Sequence, residues 1–134
     1  MARVSVEVPS ELVAPIRETV LLLYQATAES LQLSLRAHSE GRGTLEEVGA
    51  HRARLAQLDE LARSLGGRAG PRQLRAPAEL LHDAFYGALI DAGERLAVTA
   101  SRSWRGELPL ERVQEAAAEV LALHRLLRLL ESLT

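Results

Sequence analysis

The chain has four histidines and no cysteine, so acid–base or metal chemistry would have to be built on imidazole and carboxylate groups. Thiolate catalysis, disulfides, Cys-ligated zinc and iron–sulfur clusters are excluded. The segment Glu79-Leu80-Leu81-His82 is an E-x-x-H, which sets a carboxylate and an imidazole one helical turn apart. Paired helices use that spacing to hold a shared dinuclear metal, with a second E-x-x-H and two further inward glutamates completing the site. The rest of the chain offers Glu119 and His124, which are five apart, and Glu18 and Glu29 on a polar stripe. His51 has Glu47 one turn before it, so it is either a pH-responsive or ligand-binding imidazole or a partly buried core histidine hydrogen-bonded to Glu47. Arg68, Arg72 and Arg75, with Arg63, occupy a stretch free of acids from Glu60 to Glu79. They are candidates for binding an anion, or are solvated linker charge. Trp104, the only tryptophan, stands between Arg102 and Arg105 in an expected turn and is a candidate contact residue. There is no glycine-rich phosphate loop, serine elbow or evident pair of catalytic carboxylates, and no cofactor is expected.

Composition narrows the setting for these residues. At 134 residues and 47% hydrophobic, the chain fits one domain, burying roughly two thirds of its unfolded surface. Only 3% of residues are aromatic, so the core must come from Leu, Ala and Val, as in packed amphipathic helices. All sixteen basic residues are arginine, and Lys and Asn are absent, a bias expected of a GC-rich bacterial genome. The net charge of −2 argues against a dedicated nucleic-acid binder. The first residues have no apolar stretch of signal-peptide type and the longest apolar run, Val20 to Tyr24, is too short for a membrane span, so a cytoplasmic protein is expected.

The elements that would position these side chains are legible from their periods. Arg3 to Val8 alternates, with Val4, Val6 and Val8 on one side, which predicts a short half-buried strand with no evident partner in the chain. Pro9 ends it and Ser10 is the expected N-cap of a helix to Ser39, on the order of 45 Å long. Its polar stripe of Glu18, Gln25, Glu29, Gln32 and Arg36 is interrupted by Leu22, and nearly everything else is apolar. Gly41 to Gly43 turns the chain and Thr44-Leu45-Glu46-Glu47 is a capping box opening a second helix. That helix carries Val48, His51, Leu55, Leu58, Ala62 and Leu65 on its seam and ends at Gly66-Gly67. Gly66 to Ala76 is the expected linker. Pro77 opens a third helix to about Ser103, and Pro109 a fourth with Val113, Ala116, Val120, Leu123, Leu127 and Leu130 on its seam.

A shift of 65 residues lays the second hairpin on the first. Gly41 meets Gly106, and Leu45, Glu46, Val48, Ala53, Leu58, Leu61, Arg63 and Leu65 meet identical residues between Leu110 and Leu130. The expected fold is therefore all-α: one antiparallel four-helix bundle of two similar hairpins (10–65 and 77–133), joined by the 66–76 linker and preceded by an extended segment, 1–9.

Two families resemble parts of the chain. Arg75 and His82, with six residues between them, resemble the R-x(4–6)-H motif of HEPN domains, helical bundles that include metal-independent RNases and toxin partners. That likeness implies phosphate positioning by Arg75 and proton transfer by His82, although Arg75 precedes Pro77 and so lies outside the helix carrying His82. Arg3 to Ile16 looks like the start of a ribbon–helix–helix repressor, whose strand pairs with its twin across a dimer. The long first helix departs from that family's pattern, and Glu7 on the outward face opposes phosphate.

Apolar surface beyond the needs of one core points to self-association, with Val4, Val6, Val8, Leu22 and Trp104 as interface candidates and a dimer favoured. The functional expectation is a non-enzymatic interaction or scaffold module. A bundle binding metal or a small ligand, and a HEPN-like RNA-cleaving or toxin-partner bundle, are the alternatives.

Overall fold

The computed structural model describes residues 3–67 and 69–134. Six elements run strand, helix, helix, twice over: β1 (Arg3–Val8), α1 (Ser10–Ser39), α2 (Leu45–Leu65), β2 (Arg72–Pro77), α3 (Ala78–Trp104) and α4 (Leu110–Ser132). The four helices pack together, α1 along α2 and α3 along α4, as the helical periods require. Among the described residues no helix is long and apolar enough to cross a membrane.

The N-terminal strand has a partner within the chain, contrary to expectation. β2 lies in what reads as a linker and pairs antiparallel with β1, from Arg3 opposite Pro77 to Val8 opposite Arg72. Its residues, RQLRAP, have little strand preference of their own; packing beside β1 overrides propensity. The strand pairing that the ribbon–helix–helix likeness implies across a dimer thus occurs inside one chain. Val6, Val8, Leu74 and Ala76 point inward and are buried. Val6 and Val8 are therefore core residues rather than interface residues, and Val4 packs half-buried against the same core.

Both strands pass into helices through a proline in extended backbone, Pro9 at φ −59°, ψ 150° and Pro77 at φ −56°, ψ 137°. Neither helix start has a side-chain cap; Ser10 is the first helical residue rather than the N-cap, and Pro77 closes β2 before α3 begins. The N-cap half of the capping box forms, with the Glu47 backbone N–H donating to Thr44 Oγ1 at 3.2 Å. Both hairpins turn alike. Arg42 N–H donates to the Ala37 carbonyl and Glu107 N–H to the Arg102 carbonyl, around Gly41 and Gly106 at φ 79° and 76°, the left-handed conformation that glycine adopts without steric cost.

At the ribbon the repeat is offset by 68 residues, where Val6–Leu12 (VEVPSEL) matches Leu74–Leu80 (LRAPAEL). At the turns it is 65, because α1 has 30 residues and α3 has 27. Val6 pairs with Leu74, its own equivalent. Thr19 and Gly87, again 68 apart, meet where α1 crosses α3: a Cβ on Gly87 would lie 2.7 Å from Thr19 Cγ2. Equivalent residues touching at two levels define an internal pseudo-two-fold axis through the ribbon and the crossing. Around it one core cluster draws on all six elements, with Phe85 its largest side chain.

The close crossing yields a test. Gly→Ala inside a helix ordinarily stabilises by roughly 0.5–1 kcal/mol, yet Gly87→Ala is expected to destabilise, by about 1–3 kcal/mol, through overpacking against Thr19. Thr19→Ser removes the offending methyl and should recover much of that loss in the double variant. A denaturant double-mutant cycle measures the coupling, and additivity would mean the two positions do not press on each other.

Candidate functional site

Glu79 and His82 lie exposed in the opening turns of α3. The imidazole stacks on Tyr86, ring centroids 5.6 Å apart, and its Nδ1 is 4.0 Å from Asp83 Oδ1. A shallow cleft of about 300 Å3 adjoins them, lined by Ala78, Glu79, His82, Leu130, Glu131 and Thr134. Among the described residues no three His, Asp or Glu side chains converge as metal ligands. The E-x-x-H spacing is realised, but among the described residues no third donor converges with the pair.

His51 is half-buried on the α2 seam, whereas Glu47 is exposed. The Glu47 carboxylate turns back toward the hairpin loop, where its Oε2 lies 3.3 Å from the place a Cβ on Gly43 would occupy. That orientation points it away from the following turn that carries His51, so the expected pair is not assembled.

Of the anion candidates, Arg68 lies outside the described residues. Arg72 is half-buried and already engaged: its guanidinium donates to the carbonyls of Gly70 at 2.9 Å, Gly66 at 3.3 Å and Pro71 at 3.4 Å. It ties the end of α2 to the start of β2, which is a structural task rather than anion capture. Arg75 is exposed on the outer face of the ribbon, opposite Ser5, with Arg3, Glu7 and Gln73 on the same face. Arg75 and His82 sit on separate elements, β2 and α3, so the HEPN-like spacing does not correspond to one helix.

Ion pairs that sequence spacing did not single out join neighbouring helices. Arg54 reaches from α2 to Asp83 on α3 at 2.9 Å, and Arg95 from α3 to Glu119 on α4 at 2.7 Å. Glu119 is therefore a partner of Arg95 rather than of His124. A cleft of about 460 Å3 lies between α1 and α3 and is lined by Glu18, Asp91, Glu94, Arg95, Val98 and Thr99. Its mixed charge marks no ligand type.

The remaining feature is apolar. Trp104 is the last residue of α3 rather than part of the expected turn, and is 91% exposed; Leu22 is 55% exposed. Further large hydrophobics stand in solvent on every helix, among them Leu33, Leu35, Leu45, Val98 and Leu110. The sequence marked only the breadth of apolar surface on the first helix, because periodicity alone does not say which flank a neighbour covers. No family model matches the chain, nor does any curated protein or solved structure.

Arg72 supports a second test. Arg72→Ala leaves the Gly66, Gly70 and Pro71 carbonyls without their donor and is expected to cost about 1–2 kcal/mol. Denaturant unfolding reads the loss, and faster amide exchange should be confined to the 66–77 region. Unchanged stability would mean water replaces the guanidinium without cost.

Proposed function

We propose that this chain is a non-enzymatic interaction module that self-associates through apolar side chains its own fold leaves uncovered. One observation carries this reading. The chain exposes 8547 Å2, whereas the scaling for folded monomers gives about 6,900 Å2 for 14.6 kDa, roughly 1,600 Å2 less. A surplus of that size, carrying exposed Leu, Val and Trp side chains, is what association removes from water. The metal and RNA-cleaving alternatives have less behind them, since among the described residues no third ligand converges with Glu79 and His82, and Arg75 and His82 share no element.

Light scattering coupled to size exclusion, over a tenfold concentration range, tests it on the full chain. A mass of two or more chains is expected; a monomer throughout would sink the proposal.

A second reading rests on the ribbon. Its antiparallel ribbon resembles the one that ribbon–helix–helix repressors form between two chains, in which the outer strand face reads DNA, and Arg3, Ser5, Gln73 and Arg75 occupy that face here. Glu7 beside them and the net charge of −2 oppose it. Fluorescence anisotropy with duplex DNA separates the two. Binding that weakens with salt and with Arg3→Ala/Arg75→Ala supports DNA contact, and no binding at low salt ends that reading.

A further inference from the structure

The distribution of buried side chains locates the surface a second copy would cover. Between residues 28 and 57 only Val48 is buried, and between 93 and 122 no residue is. These stretches are the far halves of the two hairpins, related by the 65-residue offset, and every other buried residue lies toward the ribbon. Each arm is two antiparallel helices with one half-buried seam, such as Leu31 and Leu55 in the first and Leu96 and Val120 in the second. Helices of this length draw most of their stability from tertiary packing rather than propensity, and a two-helix layer supplies little of it. The arms also expose matching positions. Leu33 and its equivalent Val98 are 66% and 59% exposed, Leu45 and its equivalent Leu110 are 67% and 61%.

We infer that two copies of this chain pair through these distal arms, hairpin against hairpin, so that each two-helix arm becomes half of a four-helix bundle in the dimer. The inference rests on the self-association proposed above and adds its surface: Trp104 belongs to the interface and Leu22 does not. Area favours a second copy, because the surplus of roughly 1,600 Å2 exceeds the ~800 Å2 per partner that a standard stable interface buries. Charge favours it too. Residues 28–57 hold four acids and four arginines, net zero, and residues 93–122 hold five acids and four arginines, net −1. Arms so balanced do not repel a copy of themselves and present no field for a strongly acidic or basic partner. The chain already packs this hairpin against its own equivalent across the internal axis, and a symmetric dimer repeats that kind of contact between chains.

The test compares two double variants of the full chain that carry equal added charge. Leu33→Glu/Val98→Glu places acids on the arms, and Leu22→Glu/Ile90→Glu places them on exposed positions near the α1–α3 crossing. By light scattering the arm variant should dissociate at least a hundredfold more readily than the parent at unchanged helical circular dichroism, while the crossing variant stays dimeric. A dimer that survives in the arm variant overturns the inference yet leaves self-association standing, whereas a monomeric parent ends both. Trp104 reports independently in the unaltered chain, and so decides the matter even where the arm variant loses its helicity. Its emission should shift to the red and become open to iodide quenching as the dimer is diluted to monomer. An emission that stays unchanged while the mass halves would place the interface elsewhere.

Discussion

The antiparallel contact between β1 and β2 is what holds two otherwise separate hairpins in one structure. Without it they would be joined by the short 66–71 connection, and each would turn an apolar seam toward water. With it, Val6, Val8, Leu74 and Ala76 make a continuous buried layer. α1 and α3 leave that layer through Pro9 and Pro77, and α2 and α4 return to it, with Leu65 and Leu130 buried in the same cluster. The pairing is non-local, joining residues 68 apart at its centre, so its loop-closure cost must be met by packing of the helices it brings together. Ribbon and helices therefore stabilise each other.

A two-fold arrangement within one chain imposes its own constraint, since residues on the axis must pack against their equivalents. Two threonines at the α1–α3 crossing would collide and two glycines would leave a gap; Thr19 against Gly87 fits. The same asymmetry runs through the core. Val6 faces Leu74, and half-buried Arg17 has the buried Phe85 as its counterpart in the second hairpin. The two halves differ where identity would be sterically worst and share their turn glycines and several heptad leucines. Beyond the crossing the core soon stops, and the helices continue as arms in which little more than the seam between paired helices is covered.

The chemistry-bearing residues show how far spacing reaches. Glu79 and His82 share one face of α3, as an E-x-x-H must, but a metal centre needs donors from other elements to converge, and helical period carries no information on which face lies opposite. Glu47 and His51 are one turn apart, and the Glu47 carboxylate nonetheless folds back toward Gly43, because the side chain at a capped helix start can turn toward the loop. Arg72 looked like linker charge and is a clamp, since its three acceptor carbonyls come together only when the 66–71 loop is shaped by β2.

Helix spans, the N-cap at Thr44, the turn glycines and the alternation of β1 were all legible, because each depends on residues within a few positions of one another. The similarity of the two hairpins was visible at the turns for the same reason. Its better alignment at the ribbon, VEVPSEL over LRAPAEL, was obscured by the three residues by which α1 exceeds α3. Tertiary structure alone decided that Arg72–Pro77 is a strand, that Val6 and Val8 face the chain's own core, and that burial ends midway along the helices. Those outcomes depend on contacts across about 68 residues and on the angle at which α1 passes α3, neither of which is encoded in any local period.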